Sequence, residues 1–379
     1  KNGASQGVAY SGLSGTFYPA AGNNTTNQIG SFNFGQYPFT GTIPAGHSTI
    51  NTFNLAAPTQ YFWGPNTASS QTYPDLVWIK SRSNATDHTL VDTVRGPSIT
   101  QWSDKFQAQG GLASVVGIGK YGINLGNDGN TNVGGYTYVA WGWQAGQGNV
   151  QLNTNGTVSS NISVNPSAGF SISTFQASSV GPYSFGHGLG VTPAFWIIKP
   201  SNTNNNWWVW HQSLAFNQYL QLNTQGTPGT DSTIWNAPAT SAVVNLGSSW
   251  TASPSQQPWY GLAYVWSAVP GYSAFGSYVG NGNADGPFIY TGFRIKWMMI
   301  KNTSATEDWA IFDTTRNPSN PFTEELAAQS NAVTYTYSYG DILSNGIKLR
   351  NTGTGTNTSN ATYIYAAFAE NPFKYALAR

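Results

Sequence analysis

Short apolar runs recur along the chain between polar, glycine-rich stretches, and three of the runs share one pattern. They are Pro74–Lys80, Pro193–Lys199 and Ile295–Lys301, each rich in β-branched or aromatic residues and each ending in Lys. Runs of this length and composition predict strands that are buried on both faces.

Further strands follow each run at nearly constant spacing. A second strand comes eight to twelve residues after the Lys, at His88–Asp92, Trp207–His211 and Trp309–Asp313, and the polar linker before it predicts a hairpin loop. Closing strands are predicted at Tyr136–Trp143, Trp259–Trp266 and Tyr363–Phe368. From the repeat Lys to the last aromatic residue is 63, 67 and 67 residues, so the pattern indicates an internal triplication.

The triplication predicts an all-β chain of three tandem β-sandwich-like units, each of about 100 residues. We place the units at 62–150, 163–269 and 270–379, after a Gly/Asn-rich N-terminal segment at 1–61. The segments Gly169–Phe175 and Gly271–Tyr278 are each expected to add a strand to the unit that follows. One short helix is predicted at Thr323–Gln329, where Thr323 would cap a first turn that contains two acids.

Composition excludes several classes of function. Only 8% of residues are charged and the net charge is +1, which gives no footprint for nucleic-acid phosphates. Cysteine is absent, so disulfides and thiolate zinc sites are excluded. No apolar stretch approaches the length of a membrane span. An aromatic content of 15% supplies enough apolar surface for ordered cores, which is typical of an extracellular or particle-surface protein.

Several motifs carry a resemblance to phage proteins. The run Asn33–Phe39, with Pro44–His47 and Leu55, resembles the last strands of SPRY/concanavalin-like segments of bacteriophage tail and fibre proteins. The remainder resembles an uncharacterised repeat family of structural proteins in marine and cyanobacterial phages. The motifs that carry this second resemblance are Gly188–Pro193, Gly276–Gly282, Asp285–Phe293 and the ending Tyr363–Phe373.

The resemblance implies a virion component that contacts the host surface from a distal tail fibre or spike. It implies self-association, with a homotrimer expected, together with other virion proteins and a host-surface glycan as partners. Because the chain starts at Lys1 without a signal-like segment, we expect it to be part of a longer protein or a processed product. A capsid-surface decoration or head-fibre protein is the alternative from a structural class.

The repeated polar positions have two interpretations. Lys80, Lys199 and Lys301, with Asp92, His211 and Asp313 twelve residues later, would form either a binding pair present three times or a contact that fixes hairpin register. Residues reused in every copy of a repeat usually maintain the fold, which favours the second interpretation.

Aromatic residues offer a candidate ligand surface. Strand alternation places Trp208 and Trp210 on one face, opposite Trp207 and His211. We predict that Trp208 and Trp210, together with Trp250 and Trp259, either pack against a neighbouring unit or form an open surface on which sugar rings stack.

Signals for catalysis and metal binding are weaker. A polysaccharide depolymerase would need two paired carboxylates, and the adjacent acids Glu307–Asp308 and Glu324–Glu325 show no pairing signal in the sequence. The loop Asn127–Asn132 has enough side-chain oxygens for Ca²⁺, although a tight turn explains the same residues. The sequence therefore predicts a non-enzymatic protein with no catalytic residues, cofactor or metal.

Overall fold

Antiparallel β-strands make up almost all of the chain described by the computed structural model, which covers residues 62–63, 73–119, 122–177, 181–250 and 258–371. In those ranges there is one helix, α1 (Thr354–Asn357), and no helix long and apolar enough to cross a membrane. The fold is all-β and sandwich-like, as predicted. The SPRY-like segment at Asn33–Leu55 lies outside the described residues.

The strands divide among the three predicted units. Unit 1 contains β1 (Phe62–Trp63), β2 (Leu76–Ser81), β3 (Thr89–Asp92), β4 (Ile99–Trp102), β5 (Gly110–Gly111), β6 (Val115–Gly119), β7 (Gly122–Leu125) and β8 (Tyr138–Trp143). Unit 2 contains β9 (Gln151–Asn153), β10 (Ser160–Asn165), β11 (Phe170–Ala177), β12 (Tyr183–Gly186), β13 (Phe195–Pro200), β14 (Trp208–His211), β15 (Gln218–Gln221), β16 (Gly229–Thr230), β17 (Val243–Leu246) and β18 (Trp259–Trp266). Unit 3 contains β19 (Ser273–Val279), β20 (Phe288–Tyr290), β21 (Ile295–Asn302), β22 (Trp309–Asp313), β23 (Phe322–Ala327), β24 (Tyr335–Leu343), β25 (Gly346–Leu349) and β26 (Thr362–Ala369).

Each unit is built on one large sheet with the same strand order. The run that ends in Lys (β2, β13 or β21) lies between the closing strand (β8, β18 or β26) and the second strand (β3, β14 or β22). A two-stranded ribbon accompanies each sheet: β6–β7, β12–β17 and β20–β25, the last joined to its sheet through β24. The predicted added strands, β11 and β19, pair with the closing strands of the units that follow them.

Two predictions, one unit boundary and one helix, differ from the structure. The sheet of unit 2 also includes β9 and β10, so this unit begins at Gln151 rather than at 163. The predicted helix Thr323–Gln329 is wrong, because β23 occupies this region and pairs with β22 through Ala310 and Ala327. Sheet pairing has overridden a helix-compatible local sequence here.

The three large sheets share one apolar core. It is formed by one face of each sheet, and the opposite faces form separate cores for each unit. Trp143 lies at the meeting point: its ring centroid is 6.1 Å from that of Trp266, 5.3 Å from Trp297 and 5.7 Å from Phe368. Each unit therefore buries its inner face only in the presence of the other two.

A first set of equivalent polar contacts closes the units into a ring. The indole nitrogen of Trp207 in unit 2 donates to the carbonyl of Trp102 in unit 1 at 2.7 Å. That of Trp309 in unit 3 donates to Gln221 in unit 2 at 3.0 Å. At the equivalent position of unit 1, His88 faces the carbonyl groups of Ala327 and Ser330 in unit 3, although its Nε2 makes no hydrogen bond of normal geometry.

A second set joins the closing strands to the acid positions. The Tyr264 hydroxyl of unit 2 donates to Asp92 of unit 1 at 2.9 Å, and the Trp141 indole of unit 1 donates to Asp313 of unit 3 at 3.2 Å. Each aspartate also pairs with an Arg three residues later, at 2.6 Å in unit 1 and 2.5 Å in unit 3. Strand register gives Ala366 as the third residue equivalent to Trp141 and Tyr264.

Ala366 explains why the second repeat has His211 in place of Asp. Alanine has no side-chain donor for an acid, and the equivalent of the arginines in unit 2 is Leu214. Instead, Nε2 of His211 donates to the carbonyl of Tyr365 at 3.0 Å, because its Nδ1 accepts from the Ser213 amide. His211 therefore keeps a hydrogen bond to the neighbouring unit at this position. Its side chain donates that bond, whereas Asp92 and Asp313 accept theirs.

We predict that His211→Asp lowers the free energy of unfolding by about 3–5 kcal/mol, since it would bury a carboxylate without a partner. Adding Leu214→Arg should recover part of this loss by recreating the acid–Arg pair. Urea unfolding of the single and double variants measures both effects. A loss below about 1 kcal/mol for His211→Asp would contradict the assignment.

The two buried histidines should each withdraw stability as the pH is lowered from 6.5 to 4. Burial lowers the pKa of His88 to about 3 and that of His211 to about 4. The unfolded chain binds a proton at each histidine near pH 6.5, whereas the folded chain does so only below these values. We expect a loss on the order of 2–3 kcal/mol for each histidine. In His211→Gln, urea unfolding from pH 7 to 4.5 should show a shallower slope, and an unchanged slope would contradict this origin.

Candidate functional site

The repeated lysines lie buried where units meet and do not form the expected pairs with the acids. In each hairpin the acid lies at the opposite end from the lysine: Asp92 is opposite Leu76, four residues from Lys80 along β2. The prediction of a Lys–acid contact that fixes hairpin register is therefore wrong. The same geometry rules out a shared Lys–acid binding pair.

Backbone carbonyls surround the lysine ammonium groups instead. Lys199 donates to Phe106 of unit 1 at 3.1 Å, and Lys301 donates to Gln225 of unit 2 at 2.7 Å. Lys80 donates to the carbonyl of Ser81, the next residue of β2, at 2.6 Å. Burial lowers the lysine pKa values, to about 7 for Lys199 and about 8 for Lys80 and Lys301.

The prediction of an open tryptophan surface in unit 2 is wrong. Trp250 and Trp259 are buried in the separate core of the unit, with ring centroids 5.8 Å apart. Trp210 stacks on Trp196 at 4.3 Å, and Trp208 packs edge-on against Trp250 at 6.1 Å. Both are half-buried, because the ribbon side of this sheet needs large side chains to fill its core.

The side chains of the loop Asn127–Asn132 serve its own turn. The Asp128 carboxylate accepts from the Ser114 hydroxyl and from the Asn130 amide. Asn132 donates to the carbonyl of Gly126 at 2.9 Å. Within the described residues, no group of three His, Cys, Asp or Glu side chains is arranged to hold a metal ion.

A different cluster in unit 3 combines exposed tyrosines with acids of unequal burial, and we call it the carboxylate–tyrosine site. On β24, Tyr335 and Tyr337 are 41% and 50% exposed, while Tyr339 is buried. Alternate strand residues share a face, so the three rings follow one another along the strand. The rings of Tyr337 and Tyr339 meet edge-on at 5.5 Å.

Glu325 supplies the buried acid of the site. Sheet register places it directly opposite Tyr335, and it accepts a hydrogen bond from the Tyr339 hydroxyl. Burial raises the pKa of Glu325 to about 7, and the negative charges of Asp308 and Glu307 add to the shift. The carboxyl group is therefore partly protonated at neutral pH, and burial raises the pKa of Tyr339 as well.

Asp308 supplies a second acid in a different environment. Its Oδ1 accepts hydrogen bonds from two amide side chains, Gln225 at 2.6 Å and Gln329 at 2.5 Å. Gln225 comes from unit 2, so the site is completed across the junction between two units. An added Cβ at Gly353 would lie 3.8 Å from the Tyr337 ring, which shows that the loop before α1 borders the site.

Sequence reasoning missed this site because it treated Thr323–Gln329 as a helix. On a strand, Glu325 turns inward, whereas Glu324 turns outward and pairs with Arg82 of unit 1 at 2.7 Å. The stretch Tyr335–Tyr339 reads Tyr-Thr-Tyr-Ser-Tyr, and this strict alternation is the signal that would have located the tyrosines.

Comparison with known families gives one match. The model of a family described as a domain of unknown function, DUF7483, matches residues 60–372. The chain belongs to this family. Searches of curated proteins and of solved structures give no match. Because one DUF7483 match spans all three units, the family corresponds to the complete three-sheet ring and not to a single repeat.

We predict that Glu325→Gln stabilises this DUF7483 domain at pH 8. The unfolded carboxyl ionises near pH 4.5 and the folded one near 7, so the contribution of Glu325 alone is a loss of stability as pH rises through this window, opposite in sign to that of the histidines. The variant should unfold with a free energy higher by on the order of 2 kcal/mol at pH 8, with no gain at pH 4.5.

Urea unfolding at the two pH values provides the measurement. Glu324→Gln is the matched control, since that side chain points outward and pairs with Arg82, so its replacement should give no gain at pH 8. An equal effect of the two variants would contradict the assignment of a raised pKa to Glu325.

Proposed function

We propose that this chain is a non-enzymatic bacteriophage virion protein that binds a host-surface glycan at the carboxylate–tyrosine site. The observation that carries the proposal is the row of half-exposed tyrosine rings beside the buried acid Glu325, on which the charge of Asp308 also acts. Sugar rings stack on aromatic faces, and their hydroxyl groups bond to carboxylates and amides. Tyr335 and Tyr337 would supply the stacking surface, and Asp308 with its amide partners would supply the hydrogen bonds.

Location on the particle surface rests on the resemblance of the repeat motifs to structural proteins of phages. A distal tail fibre or spike is the position we favour, because a glycan-binding protein must reach the host. The scarcity of charge supports the same proposal, since recognition by stacking and neutral hydrogen bonds depends little on salt. A capsid-decoration protein would not need an exposed tyrosine row.

Glycan hydrolysis is the second candidate. It is favoured by the different burial of the two acids of the site, Glu325 and Asp308. A depolymerase needs one carboxyl group that holds a proton near neutral pH and a second that is ionised. Glu325, with its raised pKa, fits the first role, and Asp308, which accepts from two amides, is the other acid of the site. Both candidates use the same surface and differ only in whether sugar is released.

We expect Tyr337→Ala to weaken glycan binding by about tenfold or more, because it removes a stacking ring. Binding is measured on an array of bacterial surface polysaccharides. Tyr260→Ala is the matched control, since this tyrosine of unit 2 is 45% exposed and lies outside the site. Equal loss in both variants, or no binding by the wild-type chain, would contradict the proposal.

To test the second candidate, each polysaccharide that binds on the array is incubated with the protein, and the reducing ends released are measured. Without sugar release, the protein is a binder only. Release that Glu325→Gln stops while binding persists would replace the non-enzymatic proposal with hydrolysis.

A further inference from the structure

Unit 2 contains a strand that closes its sandwich at one side. In the segment Gly156–Asn165, which we call the closing segment, β10 pairs with the edge of β11 along six residues. Just before β10, Gly156 and Val158 bridge to Phe185 of β12. The Val158 amide donates to the carbonyl of Ser184 at 3.1 Å, and the Ser160 hydroxyl donates to that of Gly186 at 2.7 Å. One segment therefore joins the edge of the large sheet to the edge of the ribbon.

Unit 3 lacks this segment among the described residues. Its equivalent strands, β19 and β20, are the two end strands of the eight-stranded sheet. The chain explains the difference: residues 144–169 lead from β8 to β11, whereas only residues 267–272 lead from β18 to β19. Six residues are too few to form an additional paired strand and return. We call the space between the end strands β19 and β20 the seam. It lacks the strand that fills the equivalent space in unit 2.

The outer edge of β19 is free for pairing at Ser277 and Val279, whereas Ser273 bridges to Val269 and the carbonyl of Phe275 accepts from Gln212 of unit 2. β19 follows β26 in unbroken register over seven residues, and no charged residue or proline interrupts it. Proteins normally blunt an exposed edge with such residues. The bonds from Ala369 to Tyr272 and from Gly280 to Ala361 fix the alternation, which directs the amides of Ser277 and Val279 away from β26.

Apolar side chains also line the two free strands. Val279 on β19 is 55% exposed, and Phe288 and Tyr290 on β20 are 43% and 63% exposed. At the positions equivalent to Phe288 and Tyr290, unit 2 has Ser184 and Gly186, whose backbone is already engaged by the closing segment. The seam of unit 3 is therefore more apolar than its filled counterpart.

We propose that the seam between β19 and β20 accepts an extended segment of another protein chain, in the place that the closing segment occupies in unit 2. Such strand addition takes its affinity from main-chain hydrogen bonds and its specificity from alternate side chains. The closing segment indicates the chemistry of the donor: small or β-branched side chains at every second position, as in Val158, Ser160, Ile162 and Val164. This inference does not depend on the proposed glycan function.

A synthetic peptide of residues 156–165 is the probe, added to the full chain and followed by hydrogen exchange. We expect slower exchange at the outward amides: Ser277 and Val279 on β19, and Phe288 and Tyr290 on β20. Ser277→Pro removes an outward amide, which an edge strand tolerates, and should weaken peptide binding by about tenfold or more. Ser277→Ala is the matched control and should bind within about twofold of wild type. Tyr337→Ala should leave peptide binding unchanged, which separates this test from that of the glycan site.

Several results would overturn the proposal. The first is slow exchange at the outward amides of Ser277 and Val279 before any peptide is added, since the seam would then already be filled. The second is no protection at millimolar peptide, or protection at β11 only, as expected if the peptide exchanges into unit 2. The third is binding that Ser277→Pro does not weaken. Finally, peptide-free dimerisation that Ser277→Pro abolishes would assign the seam to a second copy of this chain.

Discussion

The shared aromatic core is the constraint on which the rest of this structure depends. Each large sheet is apolar on both faces. The separate core of its own unit, on the side of the ribbon, buries only one of these faces. The inner faces are buried solely against one another, around Trp143, whose ring reaches residues of both other units. Burial of large aromatic side chains is the dominant favourable contribution to folding, so no unit can leave the ring without exposing such a face.

The polar contacts at the junctions follow from that constraint. Closing the core buries hairpin ends, and polar groups buried there need hydrogen-bond partners. Asp92 and Asp313 meet this need with an arginine and an aromatic donor, whereas His211 meets it with a backbone carbonyl opposite Ala366. The inward-facing positions are consequently fixed by the ring. The outward strands of unit 3 are free of this requirement, and they carry both the tyrosine row and the open seam.

Much of the fold could be predicted from spacing alone. The nearly constant interval from each Lys to its closing strand indicated three units and located their central strands, because buried strands need contiguous apolar runs. Ring closure could not be predicted, since apolar strands do not specify which sheet covers them. For the same reason the burial of Trp250 and Trp259 was not resolved. Glu325 was assigned to a helix because local propensity carries no information on pairing with β22. The homotrimer expected from the resemblance stays a prediction. It concerns three chains, and is separate from the ring that the three units form within one chain.

Calorimetry of the full chain tests the shared core most directly. If the three sheets depend on one core, the region 73–371 unfolds in a single transition, and the calorimetric and van't Hoff enthalpies of that transition agree. Trp143→Ala, which removes a ring common to all units, should shift the whole transition to lower temperature. Two or three separate transitions in the wild-type chain, or a Trp143→Ala effect confined to one of them, would contradict the account.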